Sequence, residues 1–407
     1  DRNRPYGSLC SEAHFAAARS IGEEGIVLLQ NRNDLLPIDL NRAKRIVVIG
    51  ENAIKMMTVG GGSSSLKVKY ELSPLDGIRK RVGDQAEVIY ARGYVGDPSG
   101  EYNGVKSGQD LEDSRSPEEL IAEAVAVAKE ADYVIFIGGL NKSAHQDCED
   151  ADRKELGLSY GQDKVITALA KANKNLIVVN ISGNAIAMPW VKEVPAIVQA
   201  WYLGSEAGSA IASVLTGDVN PSGKLPFTFP ASLQDVGAHK LGEYPGTPRS
   251  DGSPIVDQKY NEGIFVGYRW VDKEKTKPLF SFGHGLSYTT FAYGKAVADK
   301  KVMGQDETLT ITLPVTNTGC REGSEVIQLY ISDLQSSLPR PVKELKGFSK
   351  VKLAPGETRE VTFTIGKEAL SFFDDTRHEW VAEPGKFEAW IGASSTDIRN
   401  KVAFELK

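Results

Sequence analysis

Two different spacings of apolar residues divide this chain. In the first 230 residues, short and wholly apolar runs alternate with helical patterns, whereas from about residue 290 apolar and polar residues alternate one by one. The runs at 45–50 (RIVVIG), 133–139 (YVIFIGG), 176–181 and 196–200 read as strands buried on both faces, and a further strand is predicted at 86–90. Helices are predicted over 75–82, 162–172 and about 205–216. Another opens at Ser116-Pro117-Glu118-Glu119 and runs through the alanine-rich IAEAVAVAKEA. Ser11 caps a helical pattern over 11–30, interrupted near Gly22 or Gly25. Strands alternating with helices in this way define βαβ units and a mostly parallel sheet covered on both faces.

The later part has a period of two. Stretches 308–313, 325–331, 360–365 and 385–391 alternate strictly, and Asn317-Thr318-Gly319 and Ala354-Pro355-Gly356-Glu357 supply turns between them. Alternating strands with no helix between them predict an antiparallel sandwich of about seven strands. Between the two patterns the chain dissolves into proline, glycine and charged residues, with one aromatic stretch, Phe265-Val266-Gly267-Tyr268-Arg269-Trp270. The expected organisation is therefore an α/β domain over 1–230, a linker over 231–289 and an all-β sandwich over 290–407.

Composition narrows the function classes. A net charge of −6 leaves no basic stripe to displace counterions from a nucleic acid, so no such partner is expected. No apolar run approaches the roughly 18 residues that span a bilayer, so no membrane span is expected either. Cys10, Cys148 and Cys320 are too far apart for a metal pair or a disulfide framework. The opening DRNRPYGSLC has no apolar signal core, and the chain reads as beginning in mid-protein. The compartment stays open, a periplasmic or secreted one being the expectation.

Candidate chemistry follows the 133–139 strand directly, because ligands of open α/β sheets sit beyond the carboxyl ends of such strands. The loop there, LNKSAHQDCEDADRKELGLSYGQ, places Asp147, Glu149, Asp150 and Asp152 within six residues. Mutual repulsion should make at least one of them ionise with difficulty, as a general acid requires; the plainer reading is a solvated acidic loop. Glycines 60–62 lack the Gly-Lys-Ser/Thr of a phosphate loop, and Glu51-Asn52-Ala53 supplies no second glycine for a dinucleotide fingerprint. Gly157-Leu158-Ser159-Tyr160-Gly161 fits GxSxG but follows charged residues instead of a strand, a chance match. The loop Gly60-Gly61-Gly62-Ser63-Ser64-Ser65 reads either as a flexible connection or as backbone that approaches a ligand closely.

Several long segments carry a resemblance. GIVLLQNRNDLLPI, VVIGENA with GGGSSS, GLNKSAHQDCEDADRKELGL, AWYLGSEAGSAIASVLTGDVNPSGKLPFTFP, EGIFVGYRWVD, FSFGHGLSYTTF, VTNTG, KELKGF and LAPGE resemble glycoside hydrolase family 3, the β-glucosidase family, in the family's own order. That family places a (β/α)₈ barrel first, then an α/β sandwich domain, then a fibronectin type III-like domain. The resemblance covers the second and third.

The resemblance implies a retaining β-glycosidase that releases terminal β-linked sugars from oligosaccharides or aryl β-glycosides. The family's nucleophile is an aspartate of the barrel, supplied in cis or in trans, so the chain alone is expected to be inactive. By similarity the general acid/base falls on Glu149, with Asp147 and Asp150 as competitors. Gly61, Gly62, Ser63 and Ser64 are carried over as the mouth of the substrate cleft. Tyr268, Arg269 and Trp270 either stack on sugar or pack an interdomain seam, the seam being preferred. No cofactor or metal is implied. The alternative is a non-catalytic carbohydrate-binding or assembly module that keeps the fold.

Overall fold

A computed structural model describes residues 7–58, 61–97, 109–149 and 152–407. The chain divides into two compact units, Asp1–Gly223 and Lys224–Lys407.

The first unit is a six-stranded sheet flanked by helices. In chain order it contains α1 (Glu12–Gly25), β1 (Val27–Asn31), β2 (Arg45–Ile49), α2 (Pro74–Val82) and β3 (Glu87–Ala91). Then follow α3 (Pro117–Ala128), β4 (Tyr133–Gly139), α4 (Gln162–Ala172), β5 (Leu176–Ile181), β6 (Ala196–Gln199) and α5 (Ala207–Thr216). The strand order is β1-β6-β5-β4-β2-β3. All neighbours are parallel except β1, which runs antiparallel to β6 at the edge.

Local chemistry sets the helix starts. Ser116 accepts the Glu119 N–H while Glu119 reaches back to the Ser116 N–H at 2.7 Å, a capping box with Pro117 in the first turn. Ser73 caps α2 by accepting the Asp76 N–H, with Pro74 in the first turn. One element departs from the sequence expectation, for the helical pattern over 11–30 ends at Gly25 and Val27–Asn31 is a strand. Ile26, Val27, Leu28 and Leu29 are all essentially inaccessible, and four consecutive buried side chains need cover on two faces, which a strand within layered helices provides and a surface helix does not.

β4 lies in the interior of the sheet between β2 and β5, and Val134 to Ile137 are fully buried. At its carboxyl end Gly139 has φ of 114°, and a Cβ there would overlap the Ile181 carbonyl oxygen. Gln162, the first residue of α4, accepts the Gly139 N–H and donates to the Gly139 carbonyl, both at 2.8 Å. The loop between them is thus held at both ends by one side chain.

The second unit carries the β-sandwich. One sheet joins Val297–Ala298, Leu309–Asn317 and Thr358–Ile365, with Phe291–Tyr293 also on Leu309–Asn317. The other runs Val302–Met303, Ile398–Leu406, Gly385–Gly392, Gly323–Asp333, Glu344–Leu353. Leu309, Ile311, Leu313 and Val315 turn inward against Ile327, Leu329 and Ile391, as the period of two requires.

Residues 224–289 are built onto this unit. Leu225 and Phe229 donate to the carbonyls of His284 and Phe280, and Gln328 donates to the Gly283 carbonyl at 3.0 Å. Tyr268 stacks on Phe282 and accepts the Leu345 N–H, and Arg269 pairs with Glu344 at 3.3 Å.

Gly139→Ala should destabilise the first unit by roughly 3 kcal/mol, combining backbone strain and overlap. Gly157→Ala, which meets nothing within 4 Å, should stay within about 0.5 kcal/mol of the parent. Urea unfolding of the two variants checks the contrast, and equal midpoints would contradict the tight strand end.

Candidate active site

The carboxyl ends of β2 and β4 lie side by side, with Ile49 opposite Phe136. Asn52, just past β2, donates to the Leu140 carbonyl at 2.8 Å and ties the two departing loops together. The β2 loop carries the Gly61–Ser64 turn and the β4 loop carries the acidic residues.

Within the acidic loop, short-range hydrogen bonds set the path. Asp147 N–H donates to the Asn141 carbonyl at 2.8 Å, and the Gln146 side chain donates to the Ser159 hydroxyl at 2.8 Å. The Asp147 carboxylate is fully committed. It accepts the Gly183 N–H at 2.6 Å, the Asn184 side-chain amide at 2.7 Å and the Tyr202 hydroxyl at 2.9 Å. Those donors come from the loops after β5 and β6, so Asp147 is a strut between loops. The Tyr202 hydroxyl is held well above its usual range by burial first and by the Asp147 charge second. Arg153 donates to the Ala185 carbonyl at 2.7 Å, and burial lowers its pKa.

Glu149 is placed differently. Its carboxylate is exposed and accepts the Ser63 N–H at 2.9 Å. Gly61 and Gly62 have φ of 86° and 82°, and that left-handed path turns the Ser63 amide outward at the head of a short 3₁₀ turn, Gly62–Ser64. Lys142, from the acidic loop, donates to the Ser64 hydroxyl at 3.4 Å and stands 5.4 Å above the Tyr202 ring. A Cβ on Gly61 would come within 3.1 Å of the Lys142 side chain. The structure therefore brings Glu149 together with Gly61, Gly62, Ser63 and Ser64. Asp150 and Gly60 lie outside the described residues.

Glu149 is not the carboxylate that repulsion raises: its carboxyl is lowered, chiefly because the Ser63 N–H bonds the charged form and secondarily because the Ser63 side chain does so. Burial lowers the Lys142 ammonium, with Glu71 and Asp147 pulling the other way. Lys142 and Tyr202 were not singled out by sequence reasoning, although both lie in the long segments that carry the family resemblance.

Comparison with known proteins gives the family. Residues 26–288 match the glycosyl hydrolase family 3 C-terminal domain, and residues 325–395 match the fibronectin type III-like domain. The chain belongs to glycosyl hydrolase family 3. A beta-glucosidase of Bacteroides ovatus, BoGH3A, is 50% identical over 100% of this chain and 53% of its own length. A beta-xylosidase of Formosa agariphila is 37% identical over 95% of this chain and 49% of its own. The crystal structure of a beta-glucosidase from Kluyveromyces marxianus in complex with glucose superposes with a TM-score of 0.86 at 28% identity, covering 100% of this chain and 64% of that one. The chain spans about half the length of the curated relatives it matches.

Because the folded pKa of Glu149 is depressed, its tie to Ser63 should be intact above the ordinary glutamate range, near pH 4.3, and lost as pH falls through the lowered value. A carboxyl ¹³C titration should place Glu149 below a free glutamate. Ser63→Ala keeps the N–H and removes the hydroxyl, so it should move the value only part of the way back. A Glu149 carboxyl titrating above the ordinary range contradicts the hook.

Proposed function

We propose that this chain supplies the general acid/base of a retaining β-glycosidase of the β-glucosidase type, and that Glu149 is that residue. The observation that carries the reading is the contrast between two carboxylates of one loop. Asp147 is consumed by three donors, whereas Glu149 projects exposed beyond the carboxyl ends of the central strands, oriented by a backbone amide. The substrate class is a terminal β-linked sugar on an oligosaccharide or an aryl group, and Gly61–Ser64 forms part of the cleft mouth.

In the retaining mechanism a second carboxylate, which the family provides from a barrel domain, attacks the anomeric carbon while Glu149 donates its proton to the departing glycosidic oxygen. Glu149, now ionised, then takes a proton from water as that water's oxygen attacks the anomeric carbon and releases the nucleophile. The two carboxyl groups of such a pair lie about 5–5.5 Å apart. A hydrogen-bonded, exposed Glu149 favours its ionised form, which suits the base half of the cycle. Enclosure by bound sugar and the charge of the partner carboxylate would raise its pKa for the acid half.

With a barrel domain present, Glu149→Ala should slow disaccharide hydrolysis by at least about 100-fold, the contribution of a positioned general acid. Glycosylation by a dinitrophenyl glycoside, whose leaving group departs unprotonated, should slow far less. Azide should restore turnover and yield a glycosyl azide of retained configuration. Asp147→Ala should show no azide rescue. Rescue in the Asp147 variant together with none in Glu149→Ala would reassign the residue. The 407-residue chain by itself should release no nitrophenol from aryl β-glucosides, and turnover by it would refute the need for a second carboxylate from elsewhere.

A further inference from the structure

The Gly61–Ser64 turn presents the amide that Glu149 uses, and a side chain of the acidic loop supports that turn. Lys142 stands just past Gly139, where the main chain is already fixed. The Asn52 side chain donates to the Leu140 carbonyl at 2.8 Å, and the Asn141 side chain accepts the Ser143 N–H at 2.9 Å. Both chain neighbours of the lysine, Asn141 and Ser143, are buried. The root of its side chain therefore has a set position, while the side chain itself is half-buried.

From that root the lysine runs along the turn. Its stem packs on Gly61, where a Cβ would lie 3.1 Å from Lys142 Cδ and 3.3 Å from Lys142 Cβ. Its ammonium donates to Ser64 Oγ at 3.4 Å, and the Ser64 hydroxyl donates in turn to the Gly61 carbonyl at 3.2 Å. Lys142 thus meets the first and last residues of the turn. The ammonium is itself held: it stands 5.4 Å from the centre of the Tyr202 ring, within cation–π range, and the charges of Glu71 and Asp147 act on it. Those carboxylates are fixed to separate loops. Glu71 accepts the Met57 and Thr58 N–H groups at 2.6 and 3.1 Å, and Asp147 accepts its three donors from the loops after β5 and β6.

The turn's own bonds set its shape without setting its place. Ser65 N–H donates to the Gly62 carbonyl at 3.0 Å, and Leu66 N–H closes the loop on the Thr58 carbonyl at 2.9 Å. We propose that Lys142 positions Glu149: it carries the Gly61–Ser64 turn on its stem and ammonium, and so sets where the Ser63 amide meets the Glu149 carboxylate. An apolar side chain could fill the same space beside Gly61 and Tyr202. What a lysine adds is a donor to Ser64 and a charge that the ring and two carboxylates keep in one place. The consequence for catalysis rests on Glu149 being the acid/base. Lys142 is then a positioning residue, acting through Ser63, and misplacing a reacting group by about 1 Å costs up to about 100-fold in rate.

The test reads Glu149 by carboxyl ¹³C titration in the 407-residue chain, so it needs no barrel domain. Lys142→Met keeps an unbranched stem and removes the donor, and the Glu149 value should rise toward that of a free glutamate. Lys142→Arg, which restores a cationic donor, should recover part of that shift. Ser64→Ala removes the partner and leaves the charge, so it should move Glu149 in the same direction as Lys142→Met. The double variant should add little to either single change. Circular dichroism confirms that each variant is folded, and should Lys142→Met fail to fold, Ser64→Ala at an exposed position still decides. With a barrel domain present, Lys142→Met should lower kcat/KM for a disaccharide about tenfold more than for a dinitrophenyl glycoside, because only the first needs a placed acid. An unchanged Glu149 titration in Lys142→Met would overturn the proposal. So would a shift in Lys142→Met with none in Ser64→Ala, the mark of a charge acting through space on a turn held by other means. If the titrations shift as stated but Glu149→Ala shows no azide rescue, the tie stands and the acid/base assignment falls.

Discussion

The first unit depends on how little room there is at the carboxyl end of β4. Gly139 sits against the Ile181 carbonyl with no space for a side chain, and Gln162 grips its amide and carbonyl together. Gly50, at the end of neighbouring β2, is equally confined against the Ile137 carbonyl at φ of 121°. Two adjacent parallel strands thus end at fixed points, and the loops that leave them start from known positions in a known direction. The Asn52 to Leu140 hydrogen bond ties these loops where they leave the sheet, and further along them a carboxylate of one meets a backbone amide of the other.

Hydrogen-bond supply, more than mutual repulsion, separates the roles of the acidic residues. Asp147 receives three donors from two other loops and acts as a brace. Glu149 receives the Ser63 amide and keeps its carboxylate at the surface. Counting charges in the loop cannot distinguish these cases, since the donors come from Gly183, Asn184 and Tyr202, which are distant in sequence.

Much of the architecture was legible in the order of residues. Apolar runs such as VVI and VIFI, each ending at glycine and set between helical patterns, read as strands covered on both sides, and the strict alternation of LTITL fits a strand with one buried face. The 26–29 stretch was misread because a short apolar run fits a buried helix and a buried strand equally, and only its pairing with β6 decides. The acidic loop was visible from composition, and Glu149 within it from family resemblance. The Gly61–Ser64 turn stayed ambiguous, because its contribution to Glu149 is made by a main-chain atom that no side chain announces. Tyr202 and Lys142 gave no signal of their own, for a tyrosine that braces a carboxylate and one that fills a core are the same letter.

The hook on Glu149 also bears on how such a site tolerates change. Every amino acid but proline carries the amide that position 63 contributes, so nineteen of the twenty residue types retain the donor. What the contact demands instead is the left-handed path through Gly61 and Gly62, where almost any side chain is strained. Sequence constraint is thereby displaced from the residue that makes the contact to the two that precede it. A change at position 63 then keeps the amide and loses only the secondary bond that the serine side chain adds.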